Sequence, residues 1–260
     1  MKQLALEKES LYRGSLILVN KSHPFRETSI PPLVPVREGS DQLLERRAAA
    51  LLQKLMEEIG GWRHITPVSG WRSSGEQRKI WEESLRDRGE AFTRRFVALP
   101  GCSEHETGLA IDLGFRKSLL DYICPDFPRR GVCRTFRQRA ADFGFIERYP
   151  AGKEAVTGIG HEPWHFRYVG APHAAIITEL GLTLEEYTEF IKKYTPDHPY
   201  LRREKGLVLA VSYIPAAAEG STRIRLEGRY PHSLSGNNAD GFILTEWRRA
   251  HADTEELRGA

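Results

Sequence analysis

The sequence predicts an α+β body followed by a small β-rich tail. Up to about residue 195, segments with apolar residues at helical spacing alternate with short apolar segments of strand length. The composition changes at "TPDHPY" (195–200), and three strand-like segments follow. Mixed helices and strands with a separate run of strands are typical of an α+β core that carries an appendage. The predicted domains are 1–199 and 200–260.

The first half of the body is predicted to contain two strands and two helices. "SLILVN" (15–20) predicts a short strand that leads into a proline-rich loop. Residues 40–59 repeat apolar residues at helical spacing before two glycines, which predicts a helix with a glycine C-cap. "ITPVSGWRS" (65–73) predicts a strand that runs into a turn, and residues 74–92 predict a second helix with a serine N-cap.

The second half of the body adds the strands "LAIDLGF" (109–115) and "EPWHFRYVG" (162–170). Between them, "TFRQRAADFGF" (135–145) predicts a helix that ends near its glycine. Residues 171–194 predict one broken helix or two consecutive helices.

Strand-like segments dominate the tail. They are "GLVLAVSYIPA" (206–216), "TRIRLEGRYP" (222–231) and "GFILTEWRR" (241–249). "SGNNADG" (235–241) is typical of a hairpin turn between two of them. The tail could cap a cleft, recognise part of a substrate or mediate a homodimer through its strand edges.

Composition excludes several classes of protein. The chain has 260 residues, of which 40% are hydrophobic and 10% aromatic, so it is not disordered. Its net charge of +3 is too balanced to indicate nucleic-acid binding. No stretch approaches the roughly 20 apolar residues of a membrane span. The start of the chain has acidic residues and only a four-residue apolar run, so we expect no signal peptide and a cytoplasmic location.

Three cysteines, Cys102, Cys124 and Cys133, do not form a disulfide framework in a chain of this size. Cys124 and Cys133 could pair in an oxidising compartment, but reduced thiols are expected. There is no Cys-x-x-Cys pattern that would indicate a zinc knuckle.

"GHEPWHF" (160–166) contains the H-E-x-x-H string of helical zinc proteases. That motif needs a helix, because only then do its two histidines lie on one face. Pro163 disfavours a helix interior and favours extended geometry at Glu162. In a strand, His161 and His165 would lie roughly 13 Å apart, too far to bind one zinc ion through bonds of about 2 Å.

Other residues offer a better set of metal ligands. Between His105 and Asp112 the chain passes through a glycine turn into a strand, so the two side chains can converge. His165 would complete a His/Asp/His set, which suits a catalytic zinc with three protein ligands and a water. Glu162 would then be free to act as general base on that water.

Three blocks in this order resemble those of the zinc D-Ala-D-Ala metallopeptidases. "SGWRSSGEQ" (69–77) is similar to S-G-[WY]-R-S-x-x-x-Q, "SEHETGLAID" (103–112) to S-x-H-x-x-G-x-A-x-D, and "EPWHFRYVG" (162–170) to the E-P-W-H block. "LILVNKSHPF" (16–25) resembles a fourth block. The family includes VanX-, VanY- and VanXY-type peptidases and related L,D-carboxypeptidases, and the resemblance covers about residues 12–195.

The resemblance implies an α+β fold with a central antiparallel sheet, packed helices and a zinc cleft. It implies that His105, Asp112 and His165 bind Zn2+ and that Glu162 is the catalytic base. Arg72 would stabilise the oxyanion that develops on the scissile carbonyl.

Three more positions match substrate-binding residues of the family. Gln77 and Ser103 would hold the terminal carboxylate of the substrate, and Trp164 would line the pocket. Each has a structural alternative: Gln77 as an ordinary helix residue, Ser103 as a local cap and Trp164 as core packing. Arg72 could likewise form a surface salt bridge.

The implied reaction is hydrolysis of a peptide bond next to a C-terminal D-residue. The substrate would be D-Ala-D-Ala or the D-Ala-D-Ala end of a peptidoglycan pentapeptide precursor. Such an activity would deplete the target of vancomycin-type antibiotics, although sequence alone does not establish resistance. One alternative is an L,D-carboxypeptidase that trims D-Ala from tetrapeptides. Another is a non-catalytic zinc module that binds wall peptides.

Overall fold

A computed structural model describes residues 2–26, 32–116, 121–204, 206–226 and 228–249. The chain divides into a large unit, residues 19–185, and a small unit formed by residues 1–18 with 186–260. In chain order the elements are β1 (Lys2–Leu6), β2 (Leu33–Pro35), β3 (Leu43–Glu45), α1 (Arg46–Glu58), β4 (Ile65–Ser69), α2 (Ser74–Arg88), α3 (Glu90–Phe96), β5 (Ala110–Phe115), α4 (Gly131–Ala140), β6 (Phe145–Tyr149), α5 (Glu154–Thr157), β7 (Glu162–Tyr168), α6 (Ala171–Leu180), α7 (Leu184–Ile191), β8 (Tyr200–Glu204), β9 (Leu207–Pro215), β10 (Thr222–Leu226), β11 (His232–Gly236) and β12 (Gly241–Arg249).

The large unit is built on a four-stranded antiparallel sheet with the order β4-β5-β7-β6. Register shifts interrupt the pairing of β4 with β5 and of β6 with β7. Such bulges twist and bend a strand and can redirect a side chain. A separate short ribbon pairs β2 with β3. The predicted α+β fold with an antiparallel sheet is confirmed.

Helices α1 and α4 bury apolar faces in the core of the large unit. Helix α1 begins at Glu45, whose carboxylate accepts hydrogen bonds from the Arg47 and Ala48 amides. In the core, Phe136 of α4 packs edge-on against Phe166 of β7 with 4.8 Å between ring centroids. Burial of each such ring contributes about 1.5–3 kcal/mol, which fixes β7 against the helical layer.

The helix predicted over 74–92 is two helices. Ser73 forms a capping box with Glu76 at the start of α2. Gly89 interrupts the helical run with a φ of 82°, and α3 begins after it. A glycine can adopt this positive φ without steric cost, so it ends one helix and lets the chain turn into the next. The helices predicted over 135–145 and 171–194 are confirmed, the latter as two consecutive helices.

The small unit contains a four-stranded antiparallel sheet, β11-β12-β9-β8, and the antiparallel pair β1-β10. The turn predicted at 235–241 is confirmed, but the strand that pairs with β12 across it is β11, which was not predicted; the predicted strand over 222–231 contains β10, which pairs with β1. Asn237 stabilises the turn: its Oδ1 accepts from the amides of Ala239, Asp240 and Gly241.

The boundaries of the units differ from the predicted domains 1–199 and 200–260. The start of the chain belongs to the small unit because Lys2 to Leu6 pair with β10, a contact without a local sequence signal.

The strand predicted over 15–20 is wrong. That segment lies outside regular secondary structure, and Leu18 instead bonds to the turn at Asn237 and Asn238. No helix in the described ranges is long and apolar enough to cross a membrane.

Candidate functional site

The two central strands of the large unit bring Asp112 and His165 together. The two residues are directly opposite each other in the pairing of β5 with β7. Opposed residues in antiparallel strands have Cβ atoms about 4.5–5.5 Å apart, so their side chains meet on one face. His105 comes from a 3-10 turn, Glu104–Thr107, which Gly108 closes with a φ of 71° just before β5. This left-handed glycine lets the turn fold back over the strand.

His105, Asp112 and His165 form a buried cluster that could hold a metal ion. One ligand atom from each lies within 4.8 Å of the others. The Asp112 carboxylate lies between the two rings, with Oδ1 2.9 Å from His165 Nδ1 and Oδ2 3.2 Å from His105 Nε2. Two imidazole nitrogens and one carboxylate oxygen match the donor set of a catalytic metal site with an open position. The predicted convergence of these residues is confirmed.

Hydrogen bonds outside the cluster orient both rings. His105 Nδ1 lies 2.7 Å from the Gly70 carbonyl oxygen. Because a carbonyl only accepts, Nδ1 carries the proton and Nε2 presents its lone pair to the cluster. His165 Nε2 lies 3.4 Å from Glu104 Oε2, on the side of the ring away from Asp112. Burial, with the charge of Arg72, lowers the pKa of His105 to about 4, which favours the neutral, ligating form.

Glu104 was not predicted from the sequence. Its buried carboxylate accepts hydrogen bonds from Arg148 at 2.7 Å and Arg167 at 2.8 Å. Burial opposes ionisation of Glu104, but the two guanidinium groups outweigh it and hold its pKa well below the usual value. One sequence signal indicated that such an acid was needed, although not which one: Arg167 shares a strand face with His165, and a buried arginine needs an acidic partner.

Glu162 and Arg72 border the metal cluster. Glu162 Oε2 lies 3.8 Å from His165 Nδ1, and burial raises the pKa of this carboxyl to about 8. The Arg72 amide donates to the His105 carbonyl oxygen at 3.4 Å, which ties its backbone to the ligand turn. Arg72 Nε is buried and has no hydrogen-bond partner among the described residues. A buried, unpaired guanidinium nitrogen argues against the surface salt bridge as the role of Arg72, and its role in catalysis stays a prediction.

A cleft of about 1090 Å3 is lined by the three cluster residues together with Arg72, Glu104 and Glu162. Gln77, Ser103 and Trp164 line it as well. The Gln77 amide donates to the Ala98 carbonyl oxygen at 2.6 Å, and its Oε1 has no partner in the described part of the chain. Ser103 also caps the Glu104–Thr107 turn, and Trp164 also belongs to the hydrophobic core. The structural alternatives for Ser103 and Trp164 are therefore observed, and both residues still face the cleft.

His161 is not part of the metal cluster. Its Nε2 lies 3.4 Å from Glu147 Oε1, and Glu147 also pairs with Arg129 and Arg137. Residues Glu162–Tyr168 form a strand, so the H-E-x-x-H string does not form a helix. The prediction from Pro163 is confirmed. The three cysteines carry free thiols, as expected.

A family model described as "VanY: D-alanyl-D-alanine carboxypeptidase" matches residues 41–171. The chain belongs to this family of peptidases. The matched region contains the whole metal cluster together with Arg72 and Glu162. The predicted class of enzyme is therefore confirmed.

Individual relatives agree with this assignment. The chain is 44% identical over 181 residues to VanXYC of Enterococcus gallinarum, a bifunctional D-Ala-D-Ala dipeptidase and carboxypeptidase, and this covers 68% of this chain and 95% of the relative. The crystal structure of the D,D-dipeptidase VanXYg with a D-Ala-D-Ala phosphinate analog matches with a TM-score of 0.93 at 48% identity, covering 95% of this chain and 99% of that one. A VanY D,D-pentapeptidase structure in complex with Zn(II) matches with a TM-score of 0.58 at 32% identity, over 67% of this chain and 98% of that one.

Proposed function

We propose that this protein is a zinc-dependent peptidase that hydrolyses D-Ala-D-Ala and removes the C-terminal D-Ala from peptidoglycan pentapeptide precursors. The convergence of His105, Asp112 and His165 beside Glu162 is the observation that carries the proposal. The relatives named for D-Ala-D-Ala peptidase activity, one of them similar over nearly the whole chain, support the substrate class. The VanY complex with Zn(II) supports zinc as the metal.

His105, Asp112 and His165 would hold the metal. Two imidazoles, each neutral once it binds a metal, and a single carboxylate suit zinc, whose structural and catalytic sites use nitrogen, sulfur and carboxylate oxygen ligands. When bound, zinc would supply Lewis acidity, which polarises a carbonyl group and acidifies water. The carboxylate between the two rings would keep both ligand nitrogens aimed at one point.

Glu162 would move the proton. Its carboxylate would take a proton from the attacking water as the new C–O bond forms. It would then give that proton to the leaving amine as the C–N bond breaks, so that one group acts first as base and then as acid. Its buried position keeps its pKa high in the metal-free protein, at about 8, and a group with a pKa near the working pH can do both. Nearby cations would lower this pKa.

Arg72 would stabilise the charge that develops on the scissile carbonyl oxygen. The guanidinium lies close enough to Asp112 and Glu162 for their charges to raise its pKa, although burial is the larger effect and lowers it. Its unpaired Nε is available to an oxyanion without breaking an existing hydrogen bond. A donor that is already in place needs no reorganisation during the reaction.

Gln77 and Ser103 would hold the C-terminal carboxylate of the substrate. One Gln77 N–H is used by the Ala98 carbonyl group, so the second would be the donor to the substrate. Trp164 would form one wall of the cleft. All proposed site residues lie in the large unit, and dimerisation through the tail remains a prediction.

The test is release of D-Ala by zinc-loaded protein from D-Ala-D-Ala, a muramyl pentapeptide precursor and the matching tetrapeptide. The proposal predicts release from the first two, abolished by Glu162→Ala. Release from the tetrapeptide alone would instead identify an L,D-carboxypeptidase. No release from any substrate by protein that binds zinc would indicate a non-catalytic module.

A further inference from the structure

A row of four charged side chains lies behind His165, three of them fully buried and the fourth, Glu185, 14% exposed. It runs from Glu104 to Arg148 and Arg167, and from Arg148 to Glu185. The side chains of Glu104, Arg148 and Arg167 are fully buried, with 0% exposure. Two guanidinium groups balance two carboxylates, so the row has no net charge. We refer to these four residues as the buried charge row.

The two oxygens of Glu104 have different partners. Oε1 accepts from Arg148 Nε at 2.7 Å and from Arg167 Nη1 at 2.8 Å. Oε2 lies 3.4 Å from His165 Nε2. Both arginines thus anchor Oε1, and Oε2 is left to accept a hydrogen bond from the imidazole N–H. Arg148 is fixed in turn, because its two outer nitrogens, Nη1 and Nη2, donate to the two carboxylate oxygens of Glu185 at 2.8 and 2.6 Å.

This arrangement decides which nitrogen of His165 binds the metal. An ionised carboxylate can only accept, so Glu104 requires a proton on His165 Nε2. The lone pair of the neutral ring is then on Nδ1, the atom that lies 2.9 Å from Asp112 in the ligand cluster. A carboxylate that holds the outer N–H of a ligating histidine fixes the ring and makes it a stronger ligand.

Stability alone gives a weak reason for this row. A buried ion pair contributes little net stability over apolar residues of the same volume, because desolvation offsets the attraction. The buried charge row has a specific geometric effect: it holds the Glu104 carboxylate beside Nε2 of the ligand His165.

We propose that Glu104 is a positioning residue of the metal site, which acts through His165 and is itself held in place by Arg148 and Arg167. The inference rests on the proposed function only in that His165 ligates a metal. Metal affinity, rather than peptidase activity, is therefore the quantity that tests it.

Glu104→Gln is the most informative variant, because it changes the hydrogen bonding while it keeps the shape. The two arginines only donate, so they require the amide oxygen of the new side chain. The amide nitrogen then faces His165 Nε2 and donates to it. This moves the ring proton to Nδ1, where it blocks the metal. Glu104→Asp keeps the charge but is one methylene shorter, and it serves if the glutamine variant does not fold.

Glu147→Gln is the matched control. Glu147 also binds two arginines, Arg129 at 2.6 Å and Arg137 at 2.9 Å, and lies 3.4 Å from a histidine, His161. That histidine is outside the metal cluster, so the control removes the same kind of charge without a change to a ligand.

The experiment measures the zinc dissociation constant of each full-length variant by chelator competition, and its thermal midpoint with and without zinc. We expect zinc binding by Glu104→Gln to be about 10–100-fold weaker than by the wild type. Glu104→Asp should be weaker than the wild type, and Glu147→Gln unchanged within about twofold. The zinc-induced increase in midpoint should shrink only in the Glu104 variants.

A purely structural role for Glu104 predicts something else: a lower midpoint without zinc, and an unchanged zinc dissociation constant. An unchanged constant in folded Glu104→Gln, or in Glu104→Asp where only that variant folds, would overturn the proposal. Wild-type protein that binds zinc but releases no D-Ala would refute the proposed function and leave this test intact. Wild-type protein that binds no zinc would overturn both.

Discussion

Replacement of Arg72 by methionine should reduce catalysis while zinc remains bound. Loss of one preorganised oxyanion donor typically lowers kcat by about 10²–10³-fold, or roughly 3–4 kcal/mol. Arg72→Lys keeps the charge but not the planar fork, so it should recover only part of this loss. Because the donor acts on charge that appears only in the transition state, we expect KM to change little.

The surroundings of Arg72 predict two further effects of its replacement by methionine, one on zinc binding and one on stability. Its positive charge lowers the pKa of His105, second only to burial, so its field reaches the metal ligands. Removal of that charge should strengthen zinc binding, because a fixed cation beside the site repels a bound metal cation. Its buried Nε has no partner among the described residues, and such a group costs about 1–3 kcal/mol. The variant should therefore be as stable as the wild type or more stable.

Steady-state kinetics of D-Ala release, zinc competition and urea unfolding measure these three quantities on the same samples. The prediction is lower kcat, tighter zinc and undiminished stability. Weaker zinc binding together with lower stability would show that Arg72 is a structural residue, and a kcat within a few fold of the wild type would refute the oxyanion role.

Three more predictions follow from the same site. His165→Ala should abolish zinc binding in a dialysis assay, whereas His161→Ala should leave it unchanged. Equal losses of zinc binding in the two variants would instead support His161 and His165 as the ligand pair of an H-E-x-x-H motif. In the metal-free protein, burial opposes protonation of His165, but hydrogen bonds to Asp112 and Glu104 outweigh it and raise its pKa to about 9. Zinc must displace this proton below pH 9, so the affinity should rise about tenfold per pH unit from pH 7 and level off above pH 9. Calorimetry in two buffers should detect proton release at pH 7, and a flat profile would contradict this. Arg148→Met should lower the unfolding free energy by about 3–5 kcal/mol, since it removes the cation that pairs with both Glu104 and Glu185; a change below 1 kcal/mol in a denaturant melt would contradict it.

Local sequence signals predicted three of the four strands in the sheet of the large unit, all but β6, and most of its helices. Pro163 indicated a strand at 162–168, and the glycine turn before Asp112 indicated a ligand loop that runs into a strand. These predictions succeeded because proline and glycine restrict or extend backbone geometry within one or two residues. The ligand set was predictable for the same reason, together with the family blocks.

Features that depend on distant pairing were not predictable in this way. Lys2 pairs with Leu226, so nothing near the start of the chain indicates that it belongs with the tail. The segment 15–20 is apolar like a strand, but its hydrogen bonds go to a turn near residue 237. Glu104 has the sequence context of an exposed loop acid, and only the fold brings Arg148 and Arg167 to it.

The central claim is that His105, Asp112 and His165 hold the catalytic metal while Glu162 carries out proton transfer without being needed to bind it. The most direct measurement compares zinc stoichiometry and D-Ala release for the wild type and Glu162→Gln. The account predicts one zinc per chain in both proteins and a rate lower by at least about 10²–10⁴-fold in the variant. Retention of the wild-type rate by the variant, or loss of its zinc, would contradict it.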